Sequence, residues 1–484
     1  MDKGNTGSTS AETIVRFDDE AGWPRHARVR LTPESLAAVL ALLMVAISYY
    51  LLLGLKVYGY DEVHYYPSFT FKLSEEGRWI NFLLHDFLRH IPLQVHAALY
   101  VSLAWLLLFR FARNLSCDRL YATLVASVLL VSPPFVYQSL WPATLLPSLI
   151  GLLGMAWLVD KGVSHRVIYL VSGILLFGGM QNFYFLMPLL FVGQIEQEPF
   201  PSRGFLLRIW SHALYWVAGS VLGFLVALLA VYLLIGQVGI MPAPWRRTMP
   251  VHDLHDLARN VGYAFGCLKQ EIHTLAALMT SRNVVYVLGF VVLAAVRIRY
   301  WRSELGRAIV LVAVGVSFFA FSIPLAPVIQ TRSLVAMSVA LILLALVPVD
   351  SRRAARWVSM TLLIWTGWNM TTHAYAFMAE QKEQTEFVLS KIENVLPHDP
   401  TSYSAVAIFG KMDTHSADAD IVNSPPRMRA VVLATGVPDF WDCQTSSPVC
   451  DTLSTKRDVS SKSAGEGIEY DGTYGNVAVI SVGP

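Results

Sequence analysis

The sequence predicts an all-α polytopic membrane protein with a small α/β domain at its C-terminal end. Three observations carry that expectation. The 484-residue chain is 54% hydrophobic and only 15% charged, against roughly 25% charged residues in a soluble domain. Apolar runs of roughly 17 to 25 residues recur along it, the length that crosses a bilayer. Arginines and lysines gather in the segments between alternate runs, as the positive-inside rule requires of cytoplasmic loops. The net charge of +2 and the lack of a dense basic tract speak against a nucleic-acid partner.

The first segment, 1–34, is polar and mixed in charge, and no small-residue cleavage site follows the first apolar run. That run is therefore expected as a retained span rather than a signal peptide. Spans are expected at 35–54, 93–111, 119–137, 142–160, 212–235, 283–298, 308–324, 331–348 and 355–373. The stretch 167–194 is too long for one ordinary span and short for two. Lys161 and Arg203 flank it, and for both to lie on the cytoplasmic side it must cross twice or not at all. Two short helices meeting at Gln181-Asn182 satisfy this. Such helices survive where their ends face protein or water, so Gln181 and Asn182 either line a cavity or cap a tight turn. The count is then about 11 spans, with the N-terminus cytoplasmic and the C-terminus on the outer side.

The membrane domain is expected over 35–378, with outer loops at 55–92 and 236–282, and an outer α/β domain over 379–484. In the last, a helix is expected from Glu380 to Val395 and strands at Ala405–Phe409 and Val477–Val482, with Arg427–Ala434 as helix or strand. Cys443 and Cys450 are either a short disulfide loop, which needs an oxidising compartment, or two thiols. In the first outer loop, Val63–Leu73 and Trp79–Leu88 read as interfacial amphipathic helices. No internal repeat of the kind many transporters carry is visible.

Chemistry-bearing residues concentrate in that loop. Asp61 and Glu62 are adjacent carboxylates among Tyr58, Tyr60, Tyr65 and Tyr66. Mutual repulsion and partial burial raise the pKa of at least one, which suits a base taking a proton from a hydroxyl; a solvated loop pair is the plain alternative. Arg78, Phe82, His85 and Arg89 share one helix face by spacing. The resulting basic stripe would face the headgroup layer and bind phosphate through the guanidinium fork, an anionic lipid, or Asp86. Arg332 stands alone at the start of a late span. It either holds a lipid-linked phosphate in a cavity or snorkels to headgroups. Pro133-Pro134 and Pro142 bracket Gln138 and Trp141 and shape a vestibule. The run His252-Asp253-Leu254-His255-Asp256 lacks a third ligand at defined spacing, so no metal is expected.

The acidic pair Asp61-Glu62, then Gly77-Arg78-Trp79, then Gln181-Asn182-Phe183-Tyr184 and Thr331-Arg332-Ser333 together resemble the bacterial O-antigen glucosyltransferase family of serotype conversion. That family belongs to the GT-C superfamily of polytopic glycosyltransferases. The resemblance implies a GT-C-like fold in the bacterial inner membrane. It implies transfer of a sugar, usually glucose, from an undecaprenyl-phosphate donor to a polysaccharide acceptor such as O-antigen, with inversion and without a cofactor. Carried onto this chain, Asp61 is the expected base and Glu62 its substitute. Arg78 and Arg332 are the expected phosphate binders, and Tyr60, His64, Trp79, His85 and Asp86 the expected substrate contacts beside Gln138, Gln181 and Asn182. The pair here is Asp-Glu where the family pattern has Asp-Asp, which leaves open which carboxylate acts. A transporter or lipid-carrier flippase is the competing reading; spans nearly free of Asp, Glu and Lys speak against it. A non-catalytic scaffold on the same fold is a third.

Overall fold

A computed structural model describes residues 32–58, 61–115, 118–196, 198, 200–241, 248–280, 284–327, 329–349, 353–412, 419–444, 450–451, 453 and 468–482. The chain is mostly helical. It opens with α1 (Pro33–Tyr50), capped by the Thr32 hydroxyl accepting from Ser35 N, with Pro33 at the first helical position, where its missing N–H costs nothing. Three short helices follow in the first loop: α2 (Glu62–Tyr65), α3 (Thr70–Glu76) and α4 (Trp79–Arg89). Then come α5 (Leu93–Leu115), α6 (Arg119–Leu130), α7 (Pro133–Gln138), α8 (Pro142–Asp160) and α9 (His165–Gly178). A 3-10 helix, Gln181–Phe191, leads into α10 (Val192–Ile195). The long helices α11 (Arg203–Ile235), α12 (Leu254–Thr280), α13 (Val284–Ile298), α14 (Trp301–Ser322), α15 (Val335–Leu346) and α16 (Arg353–Val395) complete the bundle.

Among the described residues, five helical segments are long and apolar enough to cross a membrane: Pro33–Gly54, Leu93–Leu115, Pro142–Asp160, Arg203–Ile235 and Trp301–Ala320. This supports a multi-pass membrane protein and not the expected 11 spans. The physical reasons are local. Helix α6 stops before Pro133-Pro134, and α9 stops before Gly179. Helices α6, α9, α13 and α15 are 12, 14, 15 and 12 residues long, short of the ~20 that span a bilayer alone. The expected span in α16 carries Asn369, Thr371, Thr372 and His373, and the helix runs on past it for 43 residues in all. The loop expected at 236–282 is largely the 27-residue α12.

Packing is tightest where α9 crosses α11. A Cβ on Gly173 would lie 2.0 Å from the Gly219 carbonyl oxygen, and one on Gly223 2.3 Å from that of Gly173. Small residues let the two backbones meet, as they do between helices in lipid. The segment 167–194 does break, at Gly179-Met180 rather than at Gln181-Asn182, which open the second half, and that half is 3-10 rather than α.

The C-terminal half of α16 enters a small α/β domain. Helices α17 (Ala419–Val422) and α18 (Pro425–Ala434) accompany strands β1 (Ala405–Gly410), β2 (Phe440–Asp442), β3 (Ile468–Tyr474) and β4 (Val477–Val482). The sheet order is β2-β1-β4-β3. Strand β1 pairs in parallel with β2 and β4, and β3 pairs antiparallel with β4. Every residue of β4 is buried, as a central strand covered on both faces requires. Val388, Leu389 and Ile392 of α16 pack with Val406, Ile408 and Ile480. The two expected strands and the expected Glu380–Val395 helix are present, and Arg427–Ala434 is helical. Cys443 and Cys450 form a disulfide. Val57 and Tyr65 belong to this domain's apolar core, so it shares its interior with the first loop.

Candidate functional site

A cavity of about 570 Å³ opens where the first loop meets the bundle. Its size suits a small-molecule or lipid-headgroup site. Its polar lining is drawn from several separate regions of sequence. The α3–α4 junction supplies Lys72, Glu75, Glu76 and Arg78; α7–α8 supplies Gln138, Trp141 and Thr144. The break after α9 supplies Gln181 and Asn182, and the loop after α14 supplies Gln330 and Arg332. Its apolar lining includes Phe177, Phe185, Phe224, Leu228 and Phe318.

The junction forms because α3 ends at Gly77 in the left-handed region, φ 69°, where glycine avoids the Cβ penalty. That turn brings Arg78 back beside α3, where it pairs with Glu76. Glu76 also accepts from Lys72 Nζ at 3.1 Å, one helical turn earlier. The Glu76 carbonyl accepts from Gln181 Nε2 at 2.9 Å, which ties the loop to the broken helix. Also on the lining, the Arg332 guanidinium lies over the Trp141 ring, 4.0 Å from its centroid. Gln138 Nε2 donates to the Arg332 carbonyl at 2.9 Å. Three cations and two carboxylates therefore share one wall system.

The expected residues divide cleanly. Arg78, Arg332, Gln138, Gln181 and Asn182 line the cavity together. Asp61 does not. It is fully buried one hydrogen bond behind the wall. Its Oδ2 accepts from Ala143 N at 2.6 Å and its Oδ1 from Thr144 Oγ1 at 2.9 Å. A carboxylate at the start of α8 compensates unpaired N–H groups and the positive end of the helix. The solvated loop pair is thereby excluded for Asp61, and so is direct exposure to an acceptor. Thr144 is the link, since it both lines the cavity and donates to Asp61. Glu62 lies in α2, and its side chain falls outside the described residues, as does Tyr60 entirely.

His64, Trp79, His85 and Asp86 lie away from the cavity lining. His64 Nε2 meets His96 Nδ1 at 2.9 Å. Burial, reinforced by His96, His85 and Arg89, pushes its pKa down to about 4, so it is neutral at pH 7. Trp79 packs its indole against Gly178. His85 is buried and its Nε2 contacts the Tyr66 carbonyl at 3.1 Å, while the Asp86 carboxylate is 88% exposed. The expected basic stripe on α4 is corrected accordingly. Leu83, Leu84 and Phe87 are its exposed apolar residues, and His85 points inward. The expected helix Val63–Leu73 is two helices, divided at Pro67, which cannot continue an α-helix.

The cavity residues not anticipated are Lys72, Glu75, Glu76 and Thr144. A signal for the first three exists: Lys72 and Glu76 have ion-pair spacing on a helix, and an acidic pair directly precedes Gly77-Arg78. Thr144 carries no sequence signal. Asp253, His255 and Asp256 bring one ligand atom each within 4.8 Å of one another. They are outside the cavity, and Asp256 pairs with Arg259 at 2.8 Å. Compared with protein-family models, with curated proteins and with solved structures, the chain matches none.

Proposed function

We propose that the chain is a membrane glycosyltransferase that moves a sugar from a polyprenyl-phosphate carrier to a polysaccharide acceptor, with inversion. The observation that carries the reading is a cavity lined by both cations and large apolar side chains. Arg78 and Arg332 line it together with Phe224, Leu228 and Phe318. A lipid phosphate needs both: fixed cations for the head and apolar surface for the first isoprene units. The disulfide favours a cavity end in an oxidising compartment, and the side expected for the site is the outer face of a bacterial inner membrane.

In this reading the acceptor hydroxyl attacks the anomeric carbon as the carbon–phosphate oxygen bond breaks. The bonding electrons leave on the phosphate, and Arg78 and Arg332 stabilise that growing charge. The hydroxyl's proton passes to Thr144 Oγ1, which hands its own proton to Asp61. Glu76 is held by Lys72 and Arg78 and positions Arg78. Glu75 is the carboxylate that competes with Asp61 for the role of base.

The test is transfer of labelled glucose from polyprenyl phosphate by the full chain in nanodiscs. Wild type is expected to be active. Asp61→Asn and Thr144→Val are expected to lose about 100-fold or more, the scale of general-base loss, while Glu75→Gln retains activity. A dead Glu75→Gln beside an active Asp61→Asn moves the base to Glu75. A wild type that transfers no sugar from any polyprenyl-phosphate hexose overturns the function itself.

A further inference from the structure

Gln138 is 1% exposed, and its Oε1 is buried without a hydrogen-bond partner among the described residues. Its orientation is not arbitrary. The Arg332 carbonyl can only accept, so the amide nitrogen must face it, at 2.9 Å, and the amide oxygen must face the other way. Gln138 lines the cavity beside Trp141 and Arg332. An orphaned buried acceptor costs stability unless something donates to it. The cations nearby cannot be the whole of what the cavity reads, because a phosphate dianion has no proton to give to Oε1.

We propose that Gln138 is a specificity-determining residue, its Oε1 accepting a hydrogen bond from a hydroxyl of the occupant whose anionic group lies at Arg332 and Arg78. The occupant is thus bifunctional: an anion joined to a hydroxyl-bearing group, as in a glycosyl phosphate, rather than a bare phosphate or a purely anionic lipid. The Trp141 ring adds an apolar face within the same subsite, already polarised by the guanidinium stacked upon it. This inference rests on the glycosyltransferase reading and adds the group that tells loaded carrier from empty carrier. That distinction matters to the reaction, since the empty carrier is its product. A site built to hydrogen-bond a hydroxyl discriminates against the analogue lacking it, because the site's polar group is then left unpaired.

The experiment measures binding of polyprenyl phosphate and of polyprenyl-phosphate glucose to the full chain in nanodiscs. Wild type is expected to favour the glucosylated lipid by about tenfold, the worth of one such hydrogen bond. Gln138→Met also loses the bond to the Arg332 carbonyl; it is expected to weaken both lipids, the glucosylated one by about tenfold more, so that the two bind alike. Gln138→Glu keeps an acceptor and loses the bond to the Arg332 carbonyl. It is expected to keep the preference for glucose and to bind both lipids more weakly. A Gln138→Met variant that keeps the tenfold preference overturns the inference and leaves the function standing. Equal loss for both lipids also overturns it, assigning Gln138 the support of Arg332 alone. A wild type that binds neither lipid removes the glycosyltransferase reading, and this inference with it.

Discussion

At the residue scale, His64 shows how burial settles a protonation state. Its pKa is about 4, below the ordinary value of about 6.5. Between those values the unfolded chain takes a proton that the folded site refuses. Folding is therefore weakened as pH falls from about 6.5 to about 4, and is not weakened further by this group below that. Thermal unfolding in nanodiscs is expected to show a midpoint that drops across that window. His64→Gln is expected to flatten the drop, and an equally steep profile in the variant would assign it to other groups. The same residue marks what sequence could and could not say. His64 was selectable as a residue near charge, yet its partner His96 is 32 positions away. Arg78, Arg332, Gln138, Gln181 and Asn182 were legible because each is a polar residue at the edge of an apolar run. Asp61 was expected at an exposed loop and is buried instead, because the atoms that hold it, on Ala143 and Thr144, lie more than 80 residues on.

At the element scale, the bundle depends on helices that fall short of a bilayer and are completed by neighbours. Helix α9 ends after 14 residues, and its contact with α11 carries it. With Gly223, Gly219 is one of the two tightest points on the α11 side. A Cβ there would meet the Tyr169 carbonyl oxygen at 2.3 Å and the Tyr184 hydroxyl at 2.4 Å. Neither can retreat, since the Tyr184 hydroxyl is bonded to the Trp216 carbonyl at 2.7 Å. Gly219→Ala is therefore expected to force the two helices apart at a cost of about 1–3 kcal/mol, read as a lowered unfolding midpoint. Gly154, with nothing near its Cβ position, should tolerate alanine without that loss. Spans were overcounted for the same reason. Hydropathy reads a run of apolar residues, and Pro133, Gly179 and the polar residues of α16 act through geometry that a running average does not register.

At the scale of the whole molecule, the C-terminal domain and the cavity are joined through the first loop. Arg429 of α18 donates to the Tyr65 carbonyl, and its guanidinium lies 5.3 Å from the Tyr66 ring centroid. The Tyr65 hydroxyl accepts from Tyr58 N at 3.0 Å, and the Tyr58 carbonyl accepts from Asp61 N at 3.0 Å. A continuous set of contacts thus runs from the domain to the carboxylate behind Thr144. Arg78 and Arg332 have partners of their own in Glu76, Trp141 and Gln138. On the glycosyltransferase reading proposed above, the domain supports Asp61 rather than the cations. Arg429→Met is accordingly expected to lower kcat for glucosyl transfer by about tenfold or more, the sensitivity of a reaction to small misplacement of a reacting group. Affinity for bare polyprenyl phosphate is expected to stay within about twofold of wild type, the scatter of a contact not made. Because Arg429 also donates to the Phe440 carbonyl at 3.1 Å and to Asp439 at 2.8 Å, a merely unfolded domain must be distinguished, and protease resistance of residues 405–482 does so. A resistant domain with kcat at the wild-type level would break the connection between domain and site. Loss of phosphate affinity together with kcat would instead place the domain's support at the cations.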